Sequence, residues 1–109
     1  MALGEAWTIL GRDPAMVMAS LKKPRGFTAR LQAAEKAYNV AQRLARNLMA
    51  AYHPDKNPGN QTAIIQFRQV NLALEAIEYH TKEFRRKVEE IQKRSEDPPD
   101  GFIMIDQIK

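Results

Sequence analysis

The sequence predicts an all-α fold organised as an antiparallel helical hairpin. Two long stretches carry apolar residues at spacings of three and four. One runs Leu31, Ala34, Tyr38, Ala41, Ala45, Leu48, Tyr52; the other runs Ile64, Phe67, Val70, Leu74, Ile77. Such spacing lines one side of a 3.6-residue helix. Between them lies Tyr52-His53-Pro54-Asp55-Lys56-Asn57-Pro58-Gly59-Asn60, which is too rich in proline, glycine and asparagine to be helical. No glycine or proline interrupts the chain from Gln61 to Asp97.

Glu5 to Leu10 reads as a helix of under two turns, stopped by Gly11. Trp7 and Leu10, three apart, share its buried side, so Trp7 is expected to anchor the core, with a ligand-stacking role as the alternative. Asp13 is a good N-cap and Pro14 a good first helical residue, which predicts a further short helix over 15–22, closed by Pro24-Arg25-Gly26. Met16, Val17, Met18 and Leu21 on it are expected to pack on the hairpin; a client-binding methionine surface is the rival reading.

Thr28 is the expected cap of the long second helix. Pro54 fixes its own φ and drives His53 out of the α region, so that helix ends at Tyr52 or His53. Asn60 is placed to cap the next helix, expected over 61–79. Phe84, Val88 and Ile91 continue its periodicity. A straight rod would carry them past the end of their partner, so a break near His80-Thr81 into a separate C-terminal helix is expected, with His80 a surface or hinge residue. Residues 1–94 form the helical domain and 95–109 an acidic tail that carries Phe102-Ile103-Met104-Ile105. Four adjacent apolar residues in a tail are expected to fold back or to contact another protein.

The 109 residues suffice for one small core. No cysteine is present and only two histidines, so neither disulfides nor a metal centre is expected, and no cofactor is implied. No apolar run approaches the ~18 residues of a membrane span. Met1 to Pro14 carries Glu5 and Asp13 without a basic leader, which points to a cytoplasmic setting. The net charge of +4 is uneven: residues 28–52 hold +3, the loop 53–60 is neutral and 95–109 hold −3. Lys36, Arg43 and Arg46 fall within about 80° of one another on the second helix, at 100° per residue. Beyond the turn, Lys82, Arg85, Arg86, Lys87, Lys93 and Arg94 alternate with Glu83, Glu89 and Glu90. That mixture is a solvated helix face, so nucleic acid is not the expected partner.

His53-Pro54-Asp55 in a loop between antiparallel helices, with Tyr52 before it and Lys56-Asn57 after, resembles the J-domain of DnaJ co-chaperones, the family known by this HPD motif. Trp7, Ile9, Leu10 and Gly11 match the family's first helix, and Phe67 with Asn71-x-Ala73 match its third. The likeness covers residues 5–92. Three features depart from the family: a longer link over 12–27, Leu74 in place of tyrosine, and a diluted basic face. Gln42, Asn47 and Ala51 are neutral where Lys or Arg is usual, while Arg43 and Arg46 keep the charge.

The resemblance implies binding to the ATPase domain and interdomain linker of a DnaK-type heat-shock chaperone and stimulation of its ATP hydrolysis. Asp55 would accept hydrogen bonds from a partner arginine, Pro54 would fix its angle, and His53 would pack and donate beside it. Tyr52, Lys56 and the stripe Lys36, Arg43, Arg46 complete the implied contact surface. No enzyme is expected in the chain itself: His53 and Asp55 flank a proline on an exposed tip, where nothing excludes water or holds a substrate. Two rivals stand beside this reading, a J-like scaffold that binds without stimulating and a basic helical nucleic-acid binder.

Overall fold

The computed structural model describes residues 1–96, and all its regular structure is α-helical: α1 Leu3–Ile9, α2 Pro14–Lys22, α3 Phe27–Tyr52 and α4 Gln61–Glu96. Each boundary has a local cause. After α1, the Gly11 N–H donates to the Thr8 oxygen and the Arg12 N–H to the Trp7 oxygen, with Gly11 at φ +87°. This is a Schellman closure, which needs a left-handed residue at that place. Asp13 caps α2 through Oδ1, which accepts from the Ala15 N–H at 3.0 Å, and Pro14 takes the first helical position.

Thr28 does not cap α3. The helix begins one residue earlier, after Gly26, whose φ of 85° and ψ of 157° lie in a region open in practice only to glycine. Arg30 then reaches back, its Nε donating to the Pro24 oxygen at 3.0 Å. The Thr28 hydroxyl serves a different end and accepts from Gln92 Nε2 at 3.0 Å.

That contact also explains why the expected break at His80-Thr81 is absent and α4 is one helix of 36 residues, with no separate C-terminal helix. As partners on α3 step back from Tyr38 to Glu35 to Thr28, their partners on α4 advance from Glu78 to Arg85 to Gln92. The two helices therefore run antiparallel. At 26 residues α3 is about 39 Å long, enough to support α4 well beyond His80. Buried Thr81 turns its hydroxyl onto the Ile77 oxygen at 2.8 Å and stays within the helix. His80 is an exposed mid-helix residue and no hinge. The helix ends at Glu96, and Phe102–Ile105 lies outside the described residues.

The core is narrow. Ala41 and Ala45 on α3 face Val70, Ala73 and Ile77 on α4, and the small alanines let the two backbones approach closely. Ala6 and Trp7 of α1, with Leu10 just after it, pack against this seam, Trp7 at 2% exposure. Its indole N–H is buried with no acceptor among the described residues, an arrangement that typically costs about 1–3 kcal/mol. Val17 and Met18 pack against the cluster, as the hairpin-packing reading of that segment expected. Met16 is turned out at 71% exposure, and α2 buries no residue fully.

Candidate functional site

The turn between α3 and α4 is held almost entirely by its own polar groups. His53 follows the last residue of α3 at φ −59° and ψ 138°, the extended geometry that a following proline imposes. Its carbonyl oxygen accepts from the backbone N–H groups of Lys56 at 3.0 Å and Asn57 at 3.1 Å. Asn57 also donates to the Pro54 oxygen and its own oxygen accepts from Asn60, so the tip is wound into successive tight turns. On the far side, Asn60 Oδ1 accepts from the Ala63 N–H at 3.1 Å and starts α4.

Asn57 has a second task. Its side-chain amide donates to the Ala51 oxygen at 2.8 Å and to the His53 oxygen at 3.0 Å. The last carbonyls of a helix have no partner within it, so this amide supplies what the end of α3 lacks. It is the one half-buried residue of the loop. The sequence reading named it only as a flank of the motif. The available signal was an asparagine a few residues past a helix-ending proline, where such side chains commonly bond to nearby backbone.

His53 and Asp55 stand together at the apex. The Asp55 N–H donates to His53 Nδ1 at 3.2 Å. A ring nitrogen that accepts carries no hydrogen, so the neutral imidazole bears its proton on Nε2. One edge of the ring meets Phe67 of α4 nearly perpendicular, with centroids 5.8 Å apart. Phe67, expected as a core residue, is half-buried outside the core cluster and orients the histidine instead. The Asp55 carboxylate lies 3.7 Å from Nδ1, and its side chain is 92% exposed. No hydrogen bond within the described residues occupies that carboxylate, so its oxygens are open to a donor from outside. Pro54 sets the backbone between the two.

The remaining predicted residues divide. Lys56, Arg43, Arg46 and Lys36 are exposed, and none is engaged in an ion pair among the described residues. At 1.5 Å and 100° per residue, positions 36, 43 and 46 of α3 and the C-cap position 53 lie within about 100° of one another. The stripe thus climbs one side of the helix toward His53, with Arg46 about 10 Å, Arg43 about 15 Å and Lys36 about 25 Å below it. Tyr52 is half-buried and packs against the hydrophobic cluster instead of standing out with the tip. Among the described residues no group of His, Asp or Glu side chains is placed to hold a metal ion, and no helix is long and apolar enough to cross a membrane. What the tip offers is a rigid, exposed hydrogen-bond acceptor beside an imidazole. That suits recognition of a cationic group on another macromolecule. No protein-family model, curated protein or solved structure matches the chain.

Proposed function

We propose that this chain is a J-domain-type co-chaperone that docks its helical hairpin on a DnaK-type heat-shock chaperone and stimulates ATP hydrolysis there. One observation carries the reading: His53, Pro54 and Asp55 cap the tip of two antiparallel helices, with the Asp55 carboxylate unoccupied and 92% exposed. An open carboxylate on a pre-formed turn accepts charge-assisted hydrogen bonds at small entropic cost. The arginine it meets belongs to the partner, and so does the chemistry. Contact made better in the hydrolysing state than in the resting one shifts the partner toward hydrolysis. Arg43, Arg46 and Lys36, free of ion pairs among the described residues, steer the encounter with an acidic surface.

A second reading has its own observation. Gln42, Asn47 and Ala51 leave α3 less basic than stimulating J-domains usually are. A scaffold that binds through the same tip without stimulating fits that feature. The experiment is single-turnover ATP hydrolysis by a DnaK-type chaperone with and without the chain, with binding measured on the same samples. Stimulation with binding supports the co-chaperone, binding alone supports the scaffold, and neither removes both.

A further inference from the structure

On the side of the hairpin core away from the tip, an apolar groove of about 240 Å³ opens between four helices. Leu3, Leu21, Ala34, Ile77, Thr81 and Phe84 line it. A cavity of about 150 Å³ accepts a benzene-sized group, so this groove has room for one or two aliphatic side chains. Beside it, where α2 passes into α3, stand Lys22, Lys23, Arg25 and Arg30. From Pro14 to Ala34 there is no acidic residue at all. None of the four cations is engaged in an ion pair among the described residues. The corner is therefore an apolar slot with an uncompensated basic rim.

We infer that this corner is a docking site for a short acidic and apolar segment, and that its occupant is the chain's own residues 97–109. Three observations single out that occupant. Gln92 donates to Thr28, so the last turns of α4 leave the chain beside the basic corner. The segment has complementary chemistry: residues 95–109 hold −3, and Phe102-Ile103-Met104-Ile105 supplies side chains for the slot. The reach also fits. Phe84 lies about 18 Å back along α4 from Glu96, and the nine steps from Glu96 to Ile105 span at most about 30 Å, which leaves length for a turn. Pro98-Pro99-Asp100-Gly101 supplies the residues for the reversal. Asp97, Asp100 and Asp106 then face Lys22, Lys23, Arg25 and Arg30, while the apolar four enter the groove. This inference stands on the groove and the charges and is independent of the chaperone reading.

The test uses the full chain, which has no cysteine, with Gln107→Cys carrying a nitroxide label. Paramagnetic broadening of the NMR signals of Leu3, Leu21 and Phe84 is the expected result. It should be lost with Ile103→Asp plus Ile105→Asp, and weakened by Lys22→Glu plus Lys23→Glu. Both sets change side chains outside the buried core, and unchanged circular dichroism verifies that the helices persist. Broadening centred on exposed Ile65, Leu72 and Tyr79, or broadening without a preferred site, overturns the proposal. So does groove broadening that appears only between a spin-labelled copy and a separate isotope-labelled copy, because the occupant is then a second molecule.

Discussion

The side-chain amide of Asn57 donates to the main-chain oxygen of Ala51 at 2.8 Å, tying the middle of the loop to the final turn of α3. Through its second bond, to the His53 oxygen, the same amide fixes the backbone from which the His-Pro-Asp apex projects. Asn57→Ala should cost about 1–2 kcal/mol in urea denaturation, since it leaves helix-end carbonyls without their donor. Stimulation of a partner ATPase should fall more than this stability loss accounts for, because the apex loses its support. A variant of wild-type stability and activity would show that the latch is incidental.

Gly26 sits at φ 85° and ψ 157° at the start of α3, and a Cβ there would meet no atom within 4 Å. The cost of Gly26→Ala is then backbone strain alone, about 1–3 kcal/mol. Thermal melting monitored by circular dichroism checks it. Because the site lies at the far end of the hairpin from the tip, binding to a chaperone should be unchanged at temperatures where the variant is folded.

Tyr38 donates its hydroxyl hydrogen to Glu78 at 2.9 Å and accepts from Gln42 at 3.2 Å. Burial first, then the hydrogen bond to Glu78 and its charge, raise the pKa of Tyr38 above its ordinary 10.0. A group whose pKa rises on folding contributes stability that is complete below the ordinary value and disappears as pH climbs through the folded one. Tyr38→Phe should therefore be less stable than wild type by about 1 kcal/mol at neutral pH. The gap should narrow above pH 10. Denaturation midpoints of both proteins at neutral and strongly alkaline pH measure it, and a gap that widens with pH would refute the assignment.

Arg43 and Arg46 offer free charges on the line of α3 that leads to His53. Exposed charges beyond about 8 Å are largely screened at physiological salt, and removing a rim charge chiefly lowers the association rate. Arg43→Ala with Arg46→Ala should weaken stimulation at low chaperone concentration and recover it at high concentration. The defect should shrink as salt rises. A double mutant identical to wild type throughout a titration at two salt concentrations would reduce the stripe to a solvated face.

Much of the fold was legible because the relevant signals are local. Asp13-Pro14, Gly11 and Pro54 each set a boundary through the conformations their own backbones allow, and the alanine-rich seam of α3 is visible as a period. The cap expected of Thr28 and the break expected at His80-Thr81 fail for a tertiary reason. Whether a helix is capped by its own threonine or lends that hydroxyl to Gln92, 64 positions along, depends on what packs beside it. Likewise α4 is continuous because α3 is long enough to support it, a relation between two lengths that no single window contains. At the site, the exposed apex was readable from His53-Pro54-Asp55. The Asn57 latch and the Phe67 edge contact depend on how the turn closes in space.

The central claim, that the tip delivers a signal and not just affinity, rests on the open Asp55 carboxylate. Its 92% exposure and lack of hydrogen bonds among the described residues mean that Asp55→Asn should alter folding stability by no more than about 0.5 kcal/mol. The most direct measurement is the single-turnover hydrolysis rate of a DnaK-type chaperone, titrated to saturation with wild type and with Asp55→Asn. Wild type should accelerate hydrolysis, and the variant should fail to do so even at saturation. Equal acceleration by both proteins would contradict the account.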